Sequence, residues 1–418
     1  MGNRHVAKPT ASLDHLPHEG QAPPRARMRI GFLYNAQDHH LLHSLPVACE
    51  LLRLFPEHEI LVFARTAAQL GLAQRLSAFY PSGRRLVLKI LRPSWLPGRT
   101  GRRKKAVLRA NRARLAACDA LVLPERNSLV LRRLGVTRPK FIHTFHGPSG
   151  HDRVDDPRLG DFDLLLAPSA RRLRRILEAG NARPGRAAVV GYSKLDLVRR
   201  MGLERPPPFS NGRPTVLYNP HHRPGTSSWH AAGRAVLDHF AARDDFNLVF
   251  APHVRLFDPP AEHLDAFRDY AGLSHVRIDL GSEASIDMTH LLTADIYLGD
   301  ISSQVFEFLI RPRPCLFLNP HRLSWRDDPD FASWHLGPVV ETIGEMAQRL
   351  AAAADWQPEF APRQARAFAE AFAEPDPLPA PERAARVIAG FLAHGRVEAA
   401  WAPEAETGPA LDRNRGTL

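Results

Sequence analysis

"LGDISSQVFEFLIRPRPCLFLNP", residues 298–320, sets an acid and two hydroxyls at the point where an apolar run turns into a helical pattern. Ile296 and Leu298 read as strand; Val305, Phe306, Leu309 and Ile310 recur at helical spacing; Pro312 and Pro314 close the helix. Asp300-Ile301-Ser302-Ser303 therefore falls at a predicted helix N-terminus, where unpaired N–H groups and partial positive charge hold phosphate. In an open α/β sheet this is also the carboxyl end of a strand, the usual place for a ligand. An ordinary N-cap at Asp300 or Ser302 explains the same residues, and this segment alone does not separate the two readings.

The same strand-then-helix rhythm runs through the chain. "MRIGFLY" at residue 28 is followed by an amphipathic stretch, then "EILVFA", another helical pattern, "DALVLP", "KFIHTF", "DLLLA" and "AAVVG". The prolines and glycine of "ERPPPFSNGRP", residues 204–214, interrupt it as a linker. It restarts with "TVLYN", a helix near Trp229 to Arg243, "NLVFAP" and "VRIDL". This pattern predicts an α/β architecture of two Rossmann-like domains whose parallel sheets face a central cleft. The expected divisions are a disordered tail 1–27, a first domain 28–203, the linker, a second domain 215–345, C-terminal helices 346–398 and a polar tail 399–418.

Composition narrows the function classes. A chain of 418 residues is too long for one ordinary core, and no apolar run approaches the roughly 20 residues needed to span a bilayer. The N-terminal stretch lacks the apolar segment of a secretory signal. Cys49, Cys118 and Cys315 stand apart in apolar surroundings, as reduced core thiols of a cytoplasmic protein do. The formal charge of +12 points to anionic partners. Basic residues concentrate in "GRTGRRKKAVLRANRARL", residues 98–115, along a predicted amphipathic helix. That helix faces solvent, a phosphate-bearing acceptor, or anionic lipid at the inner face of the plasma membrane. Nucleic acid is disfavoured, because no recognised binding motif accompanies the cluster. There is no GxGxxG fingerprint, P-loop or GxSxG elbow, which removes the usual support for NAD, kinase and serine-hydrolase readings.

Four further strand ends carry polar clusters. His146-Gly147-Pro148-Ser149 follows "FIHTF", and Gly191-Tyr192-Ser193-Lys194-Leu195-Asp196 follows "AAVV". Tyr218-Asn219-Pro220-His221-His222-Arg223 closes the first strand of the second half, and Pro252-His253 closes the next. Several such clusters converging on one cleft argue for a functional site. His143, His146 and His151 have spacing that suggests metal ligands, but neither His143 nor His146 is paired with cysteine or a well-placed carboxylate and successive strand residues point to opposite faces, so no shared metal is predicted among them. Asp152, Asp155 and Asp156 leave room for a magnesium ion carried with a pyrophosphate.

In order and approximate spacing, these five segments resemble the CDP-glycerol glycerophosphotransferases, the family of teichoic-acid-type poly(glycerol phosphate) polymerases and primases. The resemblance covers roughly residues 140–345 and includes "WHLGPVVET", residues 334–342. It implies a GT-B fold, with the nucleotide donor on the second domain and the acceptor entering from the first. It further implies transfer of glycerol phosphate from a CDP-activated polyol donor to a glycan or lipid-linked acceptor, with CMP leaving and no cofactor required. His146 would be the general base. His253, Ser302 and Ser303 would grip the pyrophosphate, with Arg223 adding a contact. Asp300, Gly191, Tyr192, Asp196 and Asn219 complete the expected donor side. The chain departs from the family pattern at Pro148, at Ile301 and at His221-His222, which stand where the family usually has Thr, Tyr and Thr-Trp. A nucleotide-sugar glycosyltransferase and a catalytically silent basic binding protein are the alternatives on this scaffold.

Overall fold

The computed structural model describes residues 27–92, 100–145, 147, 156–372 and 378–398. His146, the segment 148–155 and both terminal tails lie outside the described residues. Seven strands form the first sheet: β1 (Arg29–Tyr34), β2 (Glu59–Ala64), β3 (Val87–Ile90), β4 (Ala120–Leu123), β5 (Lys140–Thr144), β6 (Leu164–Ala167) and β7 (Ala187–Val189). Six form the second: β8 (Thr215–Asn219), β9 (Asn247–Phe250), β10 (Val276–Ile278), β11 (Ile296–Gly299), β12 (Cys315–Leu318) and β13 (Val339–Val340).

Every pairing is parallel, in the orders β3-β2-β1-β4-β5-β6-β7 and β10-β9-β8-β11-β12-β13. Each sheet thus reverses its winding once, between β1 and β4 and between β8 and β11. Loops leaving those neighbours part to opposite faces and open a crevice. Burial on both faces explains the near-continuous apolar strands. Ile30, Phe32 and Tyr34 of β1 enter one core cluster, whereas Leu33 enters the cluster on the other face.

The C-terminal helical segment expected as one unit, 346–398, divides between the domains. Helices Ile343–Ala351 and Ala353–Phe372 pack on the second domain, where Leu350, Trp356 and Phe372 are buried. The longer one runs through Pro358 and Pro362. Buried anchors on both sides, Trp356 and Gln364, outweigh the missing donors; Gln364 Nε2 reaches the Leu336 carbonyl at 2.8 Å. Helix Ala380–His394 returns to the first domain and lies against helix His40–Leu54. Its Ala385, Ile388 and Phe391 complete the first-domain core.

The domain seam is apolar as well. Helix Ser193–Met201 places Leu197 in the first-domain core, but Tyr192, Leu195 and Val198 pack with Leu217, Met288 and Val305 of the second. Among the described residues no helix is long and apolar enough to cross a membrane. The basic stretch forms helices Thr100–Ala110 and Arg112–Ala116, with Val107, Leu108 and Leu115 buried and Lys105, Arg109 and Arg112 exposed. Replacing Ile388 with Ala should cost about 2–5 kcal/mol in urea unfolding, the usual cost of a core cavity. Amide protection of helix His40–Leu54 should fall with it, and unchanged protection would rule out the shared core.

Candidate active site

The carboxyl ends of both sheets face one interdomain cleft of about 440 Å³. His39 and His43 beyond β1, Glu125 to Asn127 beyond β4, Gly147 beyond β5 and Lys194 beyond β7 line one wall. His221 to Arg223 beyond β8, His253 to Arg255 beyond β9 and Ser302 to Gln304 beyond β11 line the other. His146 itself lies outside the described residues. Its neighbour Gly147 is anchored by Arg172, whose Nη1 donates to the Gly147 carbonyl at 3.2 Å while its guanidinium stacks 4.2 Å over Phe145.

Asp300 lies beneath this wall rather than in it, with no exposed surface. Its Oδ1 accepts the His221 N–H at 2.8 Å; its Oδ2 accepts the Ser228 N–H at 2.6 Å and the Ser228 hydroxyl at 2.7 Å. Burial pushes its pKa up to about 6 while these donors pull it down, so at neutral pH a charged carboxylate ties the β8 loop to the end of β11. Asn219 is a second tie. Its Oδ1 accepts from the hydroxyls of Ser302 and Tyr297, each at 3.1 Å, and its Nδ2 donates to the Ala251 carbonyl at 2.5 Å. Gly299 permits this approach, because a Cβ there would meet the Asn219 carbonyl oxygen at 3.0 Å.

Ser302 is buried and occupied: besides donating to Asn219, it accepts the Gln304 N–H at 3.3 Å. Ser303 is half-buried on the cleft surface. The helix that follows, Gln304–Phe308, has five residues, fewer than the apolar spacing implied. Leu309 already departs from helical geometry ahead of Pro312, so the summed backbone dipole here is small. Side chains must carry any anion affinity.

The Gly191–Asp196 segment divides. Gly191, at φ +82°, sits under Arg383 of the last helix, whose Nε donates to the Val190 carbonyl at 3.1 Å. Asp196 is half-buried away from the cleft. Tyr192 donates its hydroxyl to Glu307 Oε1 at 2.5 Å, and Lys194 Nζ reaches both Glu307 oxygens at 3.0 and 2.8 Å. Lys194 and Glu307 are both buried, so this triad straps the first domain to the short helix behind the serines.

Three imidazoles gather on the second-domain wall. The rings of His221, His222 and His253 lie 4.3 to 5.1 Å apart. Burial lowers the His253 pKa well below the ordinary range, helped by His222, His221, His39 and Arg255. Burial, then Arg255 and Arg223, brings His222 down to about 4. The His222 and His253 rings are therefore neutral at neutral pH.

The family model for CDP-Glycerol:Poly(glycerophosphate) glycerophosphotransferase matches residues 130–390, a span containing every second-domain wall of this cleft. The chain belongs to this family. It is thereby an enzyme of glycerophosphotransferase type. No curated protein matches it. Among solved structures it is similar to the wall teichoic acid polymerase TagF soaked with CDPG, at 13% identity and TM-score 0.56, covering 88% of each chain. It is also similar to a putative UDP-N-acetylglucosamine 2-epimerase from Listeria monocytogenes, at 14% identity and TM-score 0.58 over 87% of this chain and 95% of that one. The Neisseria meningitidis UDP-GlcNAc 2-epimerase bound to UDP-GlcNAc matches at 13% identity and TM-score 0.57, over 88% and 100%. At such identity these likenesses establish the fold, two Rossmann-like domains in the GT-B arrangement.

In this glycerophosphotransferase the cleft also recruits residues to which sequence reasoning gave no role: His39, Arg255, Lys194 and Glu307. A signal for Arg255 existed, because Pro-His-x-Arg occurs twice, at 220–223 and 252–255, each time just past a strand. Glu307 had none, since its partners are more than a hundred residues away in sequence.

Removing one partner of the buried pair strands the other, so Glu307→Ala should cost about 3–5 kcal/mol in urea unfolding. A loss under about 1 kcal/mol would show that the strap is not closed in solution. His222 has a second consequence. Its folded pKa lies near 4 and the ordinary value is 6.5, so between them the unfolded chain binds more protons. This contribution to stability is complete above pH 6.5 and is lost as pH falls toward 4. The melting temperature of the wild type should therefore drop more steeply over that interval than that of His222→Gln; parallel curves would reject the burial of this ring.

Proposed function

We propose that this chain transfers glycerol phosphate, or a similar polyol phosphate, from a CDP-activated donor to a hydroxyl of a cell-envelope glycan or lipid-linked acceptor. The observation that carries this reading is the match of the glycerophosphotransferase family model to the segments that build the cleft. The acceptor oxygen attacks the β-phosphorus, forming one P–O bond. The bond from that phosphorus to the oxygen of CMP breaks, and the electron pair leaves with CMP. The acceptor proton passes to His146, for which the anchored, cleft-lining Gly147 is the supporting observation. Ser303 and the second-domain histidines and arginines face the diphosphate, where charge accumulates in the transition state.

Magnesium does not fit the described part of the cleft. It calls for oxygen ligands, yet Glu125 is paired with Lys104 at 3.3 Å, Glu307 with Lys194, and Asp156 with Arg126 and Arg158. No step is assigned to it. The exposed Lys105, Arg109 and Arg112 suit peripheral contact with anionic lipid at the cytoplasmic face, each charge adding about 1 kcal/mol.

Purified protein offered a panel of CDP- and UDP-activated donors should release CMP from a CDP-polyol. His146→Ala should lower turnover by at least about 100-fold while leaving donor affinity within a few fold. Binding of a UDP-sugar with none of any CDP-polyol would overturn the donor; full turnover by His146→Ala would overturn the base.

A further inference from the structure

Phe145 and Gly147 stand on either side of His146 in the sequence, and one side chain touches both. Arg172, only 4% exposed, lays its guanidinium 4.2 Å over the Phe145 ring and donates from Nη1 to the Gly147 carbonyl at 3.2 Å. It is the third residue of helix Ala170–Glu178, whose cap Ser169 accepts the Arg172 N–H at 3.4 Å. A cation in that place is unfavourable on two counts. Burial takes a charge out of water, and the first turn of a helix already carries partial positive charge. Leu173 and Ile176 of the same helix fill the apolar core, and an apolar side chain at 172 would meet neither penalty. The contacts that arginine makes and an apolar residue would lack are those to the turn after β5.

Phe145 is held from its other side as well. His143, two residues back and therefore on the same side of the chain, meets the Phe145 ring edge-on at 4.6 Å and stacks on Phe162 at 4.8 Å. The His143 Nδ1–H donates to the Leu123 carbonyl of β4 at 2.8 Å, which fixes the ring. Phe162, His143, Phe145 and Arg172 are all buried, so they form one stacked column that ends at Gly147 on the cleft surface. Contacts of a cation with a ring and with a carbonyl are both strongest where water is excluded. The planar guanidinium presents a face to the ring and an edge to the carbonyl at once; the compact ammonium of lysine has no such division.

We propose that Arg172 is a positioning residue of the transfer reaction: by fixing both neighbours of His146 it sets the imidazole against the acceptor hydroxyl. It touches neither donor nor acceptor, and it acts on the rate only through that turn. The proposal rests on the reading of His146 as the general base. A base displaced by about an ångström loses on the order of 100-fold in rate, so the anchor matters to turnover and not to donor binding.

Hydrogen exchange of the full chain reads the anchor without any substrate. In Arg172→Met, which keeps a long side chain in the core, exchange at residues 145–147 should quicken at least about tenfold while β1 and β8 keep their wild-type rates; unchanged exchange at 145–147 would overturn the proposal. CMP release from CDP-glycerol reads the consequence. Its kcat should fall about 10- to 100-fold, with the calorimetric Kd of CDP within about twofold of wild type. Equal losses in kcat and in CDP affinity would mean a general loosening of the cleft and would also overturn it. Arg172→Lys should regain part of the loss, and it carries the same comparisons should Arg172→Met fail to fold. In a His146→Ala background, Arg172→Met should cost no more than about a further twofold. An undiminished loss there, with His146→Ala itself impaired, would sink the arginine's role and leave the base standing. Full turnover by His146→Ala would sink the base reading and the arginine's catalytic role with it.

Discussion

A carboxylate sealed away from water holds the site together. Asp300 has no exposed surface, yet it is charged at neutral pH because two backbone amides and a hydroxyl converge on it. Leaving such donors without an acceptor would cost about 1–3 kcal/mol each, so the loop after β8 cannot relax away from the end of β11. His221 and Arg223 owe their position to that bond, and through the His253–Pro220 link so does the neighbouring turn. Chemistry at the surface of the cleft thus depends on an acid that never reaches it.

This explains which parts of the site were readable from residue order. The strands were legible because burial on both faces demands continuous apolar runs, and the cleft because polar clusters recur where those runs stop. What residue types could not reveal was direction. Asp300 and Asn219 sit among the ligand-facing residues in sequence but turn inward, since a loop over a buried strand end must satisfy its own amides before it can meet a ligand. Ser302 and Ser303 are consecutive, yet one is spent on Asn219 and the other faces the cleft. The helix beyond them was overestimated because its apolar spacing continues after the backbone has already left helical geometry at Leu309.

Contacts between distant segments were beyond a single sequence. Nothing local distinguishes Glu307 from any surface glutamate on a short helix, and nothing in Lys194 announces a partner in the other domain. Their pairing joins two sheets that otherwise meet mainly through side chains such as Leu195, Val198 and Val305. Buried ion pairs add little net stability, but they penalise misalignment heavily, which suits a seam that must hold the two walls of the cleft in register.

The last helix carries an implication for biosynthesis. Because Ala385, Ile388 and Phe391 belong to the core built around helix His40–Leu54, the earliest-made half of the protein leaves the ribosome with one side of its interior uncovered. It must wait until the whole second half has been translated before that side can be sealed. A nascent chain of this design exposes apolar surface for tens of seconds at ordinary elongation rates of roughly 5–20 residues per second, a window in which chaperones would find it.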